Sequence, residues 1–296
     1  MNLNPWVLAI RPRTLPAAIG PLLLGNVLAY VDGTFSLLLA FSSMLCGVLL
    51  QIGVNLANDY FDFKSGVDTE ERLGPVRVTQ SGLIRPRSVR NAMILSLVLA
   101  VAVGMHLIFV GGPIVAALAV FAVLGALCYS GGPYPLASHG LGEVAAFVFF
   151  GLVAVVGSYF TQTHTSTINV WLLASTMGLL NAAIMLVNNT RDIGTDTKAG
   201  KRTLAVRIGQ ERSRLLYSTL LALPYLTLSL MFLLGQLPGL ALLLGFASVP
   251  MARILAREFR RSEGAALNPL LGRTAKLTLV YSLLLSLGLP LASLLG

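Results

Sequence analysis

Long apolar runs constrain this chain more than any other feature of its sequence. Crossing a bilayer as a helix takes about 20 residues, and nine runs have that length or come close to it. In chain order they cover residues 15–31, 35–57, 91–110, 113–129, 141–161, 169–190, 214–235, 237–252 and 276–295. Only helices and closed barrels satisfy their backbone groups in lipid, and none of the runs has the pattern of a strand. We therefore predict an all-α polytopic membrane protein with nine transmembrane helices.

The composition agrees with a single membrane domain over residues 1–296. Hydrophobic residues make up 55% of the chain and charged residues 11%, with a mean hydropathy of +0.80, whereas a soluble domain carries about 25% charged residues. The net charge of +9 comes without a recognition module or a basic-aromatic pattern, so no nucleic acid partner is expected. The topological signal and attraction to anionic lipid headgroups account for most of this charge, and the rest is available for an anionic substrate.

The distribution of basic residues predicts the orientation of the chain in the membrane. With nine spans, all 21 lysines and arginines fall on the same side as the amino terminus. Because basic residues mark the cytoplasmic face, we expect the amino terminus inside the cell. The predicted location is the inner (plasma) membrane, as a multi-pass protein with its active site facing the cytoplasm.

The cysteines and histidines give no sign of a disulfide or a zinc site. Cys46 and Cys128 both lie in predicted spans, where cysteine is ordinarily a packing residue. His106, His139 and His164 are scattered along the chain, so a histidine metal site is not expected.

Two stripes of polar residues follow the cytoplasmic ends of the second and sixth predicted spans. Gln51, Asn55, then Asn58 or Asp59, and Asp62 recur at steps of three and four, which places them on one helical face. Asn181, Asn188, Asp192 and Asp196 form the second stripe. The step Asn-x-x-x-Asp occurs in both, which hints at an internal repeat of about four helices.

The acidic residues concentrate in the two passages that contain these stripes. The chain has twelve acidic residues, and those in the two passages are Asp59, Asp62, Asp68, Glu70, Glu71, Asp192 and Asp196. Glu70 and Glu71 are read as solvated loop charges. For the others, the alternative is a set of ordinary headgroup-region charges paired with nearby Arg and Lys. However, acidic residues at membrane depth are expensive and usually functional, and Mg²⁺ prefers carboxylates together with substrate phosphates. We therefore predict that the two clusters face each other and hold Mg²⁺ on a diphosphate.

At these residues the chain resembles the UbiA superfamily of intramembrane prenyltransferases, and within it the 1,4-dihydroxy-2-naphthoate prenyltransferase branch. The segments that carry the resemblance are RPRTLPAAIGPLLLG (11–25), NDYFDFKSGVDTEERLGPVRVTQSGL (58–83), GLGEVAAFVFFG (140–151) and NNTRDIGTDTKAGKRTLAVRIG (188–209). In the wider superfamily the last two aspartates of the first motif are four residues apart. Here Asp62 and Asp68 are six apart, as in the naphthoate branch, and this leaves the ligand role of Asp68 open.

The resemblance implies nine helices around a central cavity that opens sideways to lipid. The motif loops, 58–90 and 188–213, would form its cytoplasmic cap. The implied reaction is a Mg²⁺-dependent transfer of an isoprenyl chain from a prenyl diphosphate to 1,4-dihydroxy-2-naphthoate, with loss of carbon dioxide. The product would be a demethylmenaquinol or demethylphylloquinol.

The resemblance also implies which residues act in this reaction. The metal ligands and catalytic residues would be Asp59, Asp62, Asp192 and Asp196, with Asp68 as a further metal ligand. The residues expected to bind the substrates are Asn58, Lys64, Arg72, Arg77, Tyr129, Tyr134, Asn188, Arg191, Lys198 and Lys201.

Several of these roles have alternatives. Arg77 would bind either a phosphate or the carboxylate of the acceptor, or would be a solvated loop charge. Arg191 would contact phosphate or hold a neighbouring aspartate. Tyr129 and Tyr134 would stack on the acceptor or stabilise cationic charge, or would be interfacial membrane anchors.

Two other function classes compete with this interpretation. A transporter should place its site near the bilayer midplane on broken helices, whereas the acidic clusters lie at span ends. A phosphotransferase that uses CDP-alcohols would carry a compact signature with DG, AR, G and two aspartates, and the sequence has none. Within the superfamily, homogentisate or 4-hydroxybenzoate is the alternative acceptor.

Overall fold

The chain folds into a bundle of helices in this computed structural model, which describes residues 4–66 and 73–295. No strand occurs among these residues. The α-helices are α1 Pro5–Ile10, α2 Pro16–Val31, α3 Leu37–Lys64, α4 Pro86–Ser130, α5 Gly142–Ala146, α6 Ala154–Thr163, α7 Ile168–Arg191, α8 Ile193–Lys198, α9 Leu204–Leu233, α10 Gly239–Phe246, α11 Val249–Arg261 and α12 Asn268–Leu295. The prediction of an all-α membrane protein is confirmed.

The number of membrane spans depends on how the bent helices are counted. By length and composition, seven helical elements of the described residues can cross a membrane, or eight if the bent pair Pro5–Thr14 and Pro16–Val31 is one span. Helix α4 is counted once, although its 45 residues measure ~68 Å at about 1.5 Å per residue, roughly twice a hydrocarbon core. Gly112 interrupts it with non-helical angles (φ 72°, ψ −158°), at the boundary predicted between the third and fourth spans. The total of nine stays a prediction.

The two polar stripes continue as helix beyond the apolar runs that precede them. Helix α3 extends to Lys64, so residues 58–64 of the expected first motif loop are helical. Helix α7 ends at Arg191, and α8 begins at Ile193. The described aspartates of both motifs therefore sit on helix ends or at a helix junction, where their directions are fixed by the bundle.

Helix α7 lies at the centre of the bundle. It packs against α9, α12, α5 and the π-helical segment Phe147–Val153. The contact with the π-helical segment depends on glycine, since a Cβ on Gly151 would lie 2.5 Å from the Cα of Gly178. Small residues of this kind let membrane helices approach closely. Elsewhere α3 packs along α4, and α2 lies between α12 and α6.

Candidate functional site

A cavity of about 380 Å³ runs through the bundle and opens at the end that carries the aspartate motifs. Its deep part is lined largely by apolar and small side chains, such as Leu22, Gly104, Phe149 and Phe150. Its mouth is lined by carboxylates, amides and cations from both motifs. The arrangement suits a ligand with a charged head and a long apolar tail.

Helix α3 supplies one side of the mouth. Asn58 and Asp62 line the cavity, and Gln51 and Asn55 line it further down the same helix, as the predicted stripe requires. The Asn58 side-chain oxygen accepts a hydrogen bond from the hydroxyl of Ser130 at 2.5 Å. The Asp62 carboxylate is paired with the guanidinium of Arg77 at 2.8 Å, and Arg77 also lines the cavity.

The carboxylate of Asp59 does not face the cavity. It accepts hydrogen bonds from the backbone amides of Val78 and Thr79, at 3.1 Å and 2.9 Å, and is 1% exposed. Asp59 is outside the cavity wall. The expectation that Asp59 is a catalytic metal ligand therefore does not fit its position, because both of its oxygens hold the loop that carries Arg77.

The second motif supplies the opposite side of the mouth through the junction of α7 and α8. Arg191 donates two hydrogen bonds to the carboxylate of Asp192, at 2.7 Å and 2.5 Å, and one to the side-chain oxygen of Asn188 at 2.8 Å. Its remaining nitrogen donates to Asn268 at 3.0 Å, and Asn268 in turn donates to the backbone oxygen of Leu73 at 2.7 Å. This chain of contacts ties the second motif to the loop after the first motif. Arg191 is 2% exposed and outside the cavity wall, so it holds Asp192 instead of facing a ligand.

Asp196 and Lys201 complete this side of the mouth. Their charged groups are 3.9 Å apart, and both residues line the cavity. The backbone amide of Lys201 also donates to the backbone oxygen of Asp196 at 2.9 Å. Gly200 makes the turn between them, with φ of 72°, a value that favours glycine.

The structure brings most of the predicted site residues together, and the others lie elsewhere. The predicted residues that line the cavity are Asn58, Asp62, Arg77, Tyr129, Asn188, Asp192, Asp196 and Lys201. Lys64 and Lys198 are exposed and outside the cavity wall. Asp68 and Arg72 lie outside the described residues, as do Glu70 and Glu71.

The two predicted tyrosines differ in position. The Tyr129 side chain lines the cavity, and its hydroxyl donates to the sulfur of Met185 at 2.9 Å. Tyr134 is 57% exposed and stacks on the ring of His139, with ring centres 3.6 Å apart. Tyr134 therefore lies outside the cavity wall with its ring against His139, and its contact with the acceptor stays a prediction.

Several cavity residues were not predicted as site residues. Arg11 and Thr14 enter the wall from the segment that precedes α2, and Asn189 enters it from α7. Arg11 has a left-handed backbone conformation (φ 55°), which is uncommon for a residue other than glycine. The sequence predicts Arg11 only as one of the cytoplasmic basic residues. Its position in the RPRTLP segment, which carries part of the family resemblance, is the signal that could have indicated a place in the site.

The donor set of the mouth fits a hard divalent cation. Asp62, Asp192 and Asp196 offer carboxylate oxygens, which Mg²⁺ prefers. Among the described residues, no three His, Cys, Asp or Glu side chains lie close enough to hold an ion by themselves. An ion at this mouth would therefore need oxygen ligands from a substrate, as Mg²⁺ sites that bind phosphates usually do.

Comparison with known proteins identifies the same family as the sequence motifs do, and the match covers almost the whole chain. The model of the UbiA prenyltransferase family matches residues 18–291. The chain is 38% identical to the 1,4-dihydroxy-2-naphthoate octaprenyltransferase of Escherichia coli (strain K12), over 97% of this chain and 95% of that protein. It is 39% identical to the enzyme of the same name from Mycobacterium tuberculosis, over 94% of each. A solved structure of a UbiA homologue from Archaeoglobus fulgidus, bound to DMAPP and Mg²⁺, has a TM-score of 0.65 at 17% identity and covers 95% of this chain and 99% of that one. At that identity, the structural match shows the fold alone.

Proposed function

The chain belongs to the UbiA prenyltransferase family, and on that basis we propose that it transfers an isoprenyl chain from a prenyl diphosphate to 1,4-dihydroxy-2-naphthoate. One observation carries the proposal. The two aspartate motifs, more than a hundred residues apart in sequence, line one cavity mouth, and the cavity continues from it into an apolar interior. A prenyl diphosphate has the matching division into a charged head and an apolar tail.

The diphosphate would bind at the mouth through Mg²⁺ held by Asp62, Asp192 and Asp196. Asn58 and Asn188 lie beside them, and each of their carbonyl oxygens keeps a second lone pair. Magnesium held there would neutralise the charge that builds up on the diphosphate as the allylic C–O bond breaks. Asp59 holds the loop in this scheme, and Asp68 stays a predicted ligand.

The cations of the site have partners that a diphosphate can replace. Arg77 faces Asp62, and Lys201 faces Asp196. With the carboxylates on a metal, these two side chains would donate charge-assisted hydrogen bonds to phosphate oxygens. Arg191, with both Asp192 oxygens and Asn188, keeps the second motif in place during this exchange. Lys64, Arg72 and Lys198 stay predicted phosphate contacts at the rim.

The apolar part of the cavity would hold the isoprenyl chain and keep water from the reacting carbon. Phe149 and Phe150, from the π-helical segment, line it together with small residues of α4. Exclusion of water prevents hydrolysis of the reactive allylic group. The aromatic acceptor then meets that group near the mouth, where Tyr129 forms part of the wall.

The acceptor is inferred from the relatives. Two proteins that are 38% and 39% identical to this chain are named 1,4-dihydroxy-2-naphthoate octaprenyltransferase. A cationic side chain in the wall, Arg11, supports an acceptor that carries a carboxylate. Attack by the ring carbon that bears the carboxylate, followed by loss of carbon dioxide, gives the demethylquinol. A prenyltransferase for homogentisate or 4-hydroxybenzoate is the alternative.

We place the mouth on the cytoplasmic side of the inner (plasma) membrane, under a cap formed by 58–90 and 188–213. The basic residues of the chain all lie on the motif side when nine spans are counted. A water-soluble diphosphate head would reach the site from that side.

A reconstituted assay tests the proposal. The purified protein, supplied with 1,4-dihydroxy-2-naphthoate, farnesyl diphosphate and Mg²⁺, should form prenylated product, and a chelator of divalent cations should abolish it reversibly. The Asp192→Ala variant should lose product formation while it stays folded. Glu211→Ala is the matched control, because this carboxylate is 82% exposed and outside the cavity. Near-normal turnover of Asp192→Ala would contradict the proposed role.

A further inference from the structure

Asn189 joins the cavity wall to a buried carboxylate behind it. Its amide nitrogen donates a hydrogen bond to one carboxylate oxygen of Glu143 at 2.9 Å. The two residues are 6% and 5% exposed. Asn189 lines the cavity three residues before Asp192 on α7, and Glu143 is outside the wall.

This hydrogen bond fixes which group Asn189 presents to the cavity. Asn189 donates through its amide nitrogen to the Glu143 carboxyl oxygen, so this nitrogen faces Glu143. The carbonyl oxygen is then left for a ligand, and among the described residues the Asn189 side chain makes no other hydrogen bond. The neighbouring Asn188 differs, because its side-chain oxygen already accepts from Arg191.

The other carboxylate oxygen of Glu143 does not set the orientation of the group. It is buried without a hydrogen bond among the described residues. Among the described residues, Asn189 is therefore the side chain that forms a hydrogen bond with the Glu143 carboxyl group.

Asn189 shares its part of the cavity wall with Tyr129 and Met185. A Cβ on Gly142 would lie 3.4 Å from the Asn189 amide nitrogen, the Met185 Cγ and the Tyr129 hydroxyl, so these three side chains converge on a glycine. The Tyr129 hydroxyl already donates to Met185. The carbonyl oxygen of Asn189, which accepts no hydrogen bond among the described residues, is therefore an available acceptor beside the Tyr129 ring.

We propose that the Asn189 carbonyl oxygen accepts a hydrogen bond from a ring hydroxyl of the aromatic acceptor, and that Glu143 is the positioning residue that orients it. The proposal rests on the proposed function and adds a determinant of acceptor specificity. The three residue steps from Asn189 to Asp192 correspond to ~4.5 Å along the helix axis. The bound ring would therefore lie next to the diphosphate site.

The decisive experiment pairs the Asn189→Ala variant with acceptors that lack one hydroxyl. Inhibition constants are measured for 1-hydroxy-2-naphthoate and 4-hydroxy-2-naphthoate against 1,4-dihydroxy-2-naphthoate. In the natural protein, one analogue should bind about tenfold more weakly than the dihydroxy compound, the size of one hydrogen bond. In Asn189→Ala that difference should disappear, while the KM for farnesyl diphosphate stays unchanged. The proposal would be overturned if Asn189→Ala bound all three naphthoates equally more weakly, or if only the KM for farnesyl diphosphate changed.

Variants of Glu143 test its positioning role. Glu143→Gln keeps an oxygen that can accept from Asn189 and should keep the acceptor KM, whereas Glu143→Leu should raise it about tenfold without a change in the donor KM. Thr190→Val is the matched control, because Thr190 is equally buried on the same turn but outside the wall. An acceptor KM that is equally raised in Glu143→Gln and Glu143→Leu would contradict orientation by a hydrogen bond. Absence of product from the natural protein with every aromatic acceptor would instead refute the proposed function.

Discussion

The carboxylates of the two motifs differ in what each of them touches. Asp62, Asp192 and Asp196 face side-chain cations at the cavity mouth, whereas Asp59 faces two backbone amides. A buried carboxylate needs such partners because an unpaired charge in the interior is costly. Arg77 and Lys201 can turn away from Asp62 and Asp196 when a metal arrives, and Asp192 keeps lone pairs toward the cavity while Arg191 holds it. Backbone amides, in contrast, can leave only if the loop unfolds. The first three carboxylates are therefore suited to a metal, and Asp59 is suited to hold a loop.

Replacing Asp59 should separate stability from metal binding. Asp59→Ala leaves two buried amides without partners, so we expect the free energy of unfolding to fall by about 2 kcal/mol. The loop that carries Arg77 would loosen, and turnover would fall. The Mg²⁺ concentration for half-maximal activity should stay within about twofold, because hydrogen bonds to the loop and not metal ligands are lost.

Asp62→Asn is the comparison for this experiment. It removes the carboxylate that pairs with the buried Arg77, so stability should fall as well. Unlike Asp59→Ala, it should also raise the Mg²⁺ requirement, since Asp62 lines the cavity. Thermal unfolding and Mg²⁺ titrations of both variants provide the measurement. A strongly increased Mg²⁺ requirement in Asp59→Ala would show that Asp59 is a ligand after all.

At the scale of elements, the contact between α7 and the π-helical segment Phe147–Val153 positions both the polar and the aromatic residues of the site. Helix α7 carries Asn188 and Asn189, and the π-helical segment carries Phe149 and Phe150. Their backbones meet at Gly151 and Gly178. π-helical turns often occur at functional sites, and here one places two aromatic rings in the cavity wall.

Enlarging Gly151 should disrupt this contact. A Cβ there would lie 2.5 Å from Gly178 Cα and 2.8 Å from the Ala174 carbonyl oxygen, and backbone atoms cannot yield without moving a helix. We expect Gly151→Ala to cost about 1–3 kcal/mol of stability and to lower turnover, as measured by thermal unfolding and the prenylation assay.

Gly272→Ala is the control for this prediction. Gly272 lies in α12, and a Cβ added to it would meet no atom within 4 Å. The substitution should therefore be neutral or stabilising by up to about 1 kcal/mol. Equal losses of stability and turnover in Gly151→Ala and Gly272→Ala would refute a specific role for the contact between α7 and the π-helical segment.

At the scale of the whole molecule, the cavity reaches through most of the bundle. On α3 its wall extends from Asp62 to Ser43, a distance of ~28 Å at about 1.5 Å per residue. This approaches the hydrocarbon thickness of a bilayer, about 30 Å. The length leaves room for an extended isoprenyl chain below the diphosphate.

A bulky residue in the deep part of the cavity should select shorter donors. Gly157 lines the cavity, and a Cβ on it would meet only Leu118 Cδ1, at 3.7 Å, so a larger side chain can fit there and occupy the space. We expect Gly157→Leu to lower kcat/KM for octaprenyl diphosphate by at least about tenfold relative to farnesyl diphosphate, the cost of displacing one or two methylene groups.

Gly157→Ala provides the comparison, since a single methyl group should change the ratio of the two kcat/KM values by only a few-fold. If both donors lose activity equally in Gly157→Leu, the deep cavity does not hold the tail.

The sequence by itself determined the class of the protein, the position of most helices and the faces that carry the two motifs. Hydropathy and helical periodicity are local properties, so they can be read without knowledge of neighbours. This is why the stripe from Gln51 to Asp62 was predicted and lies in the cavity wall.

The tertiary structure alone decided what lies opposite each side chain. Asp59 and Asp62 are three residues apart and alike in sequence, yet one meets a loop twenty residues away and the other faces the cavity. Tyr129 and Tyr134 differ in the same way, because only Tyr129 lines the cavity. The hydrogen bond from Asn189 to Glu143 likewise joins residues 46 positions apart. Helical periodicity gives the direction of a side chain on its own helix, but the partner it meets depends on how the bundle packs.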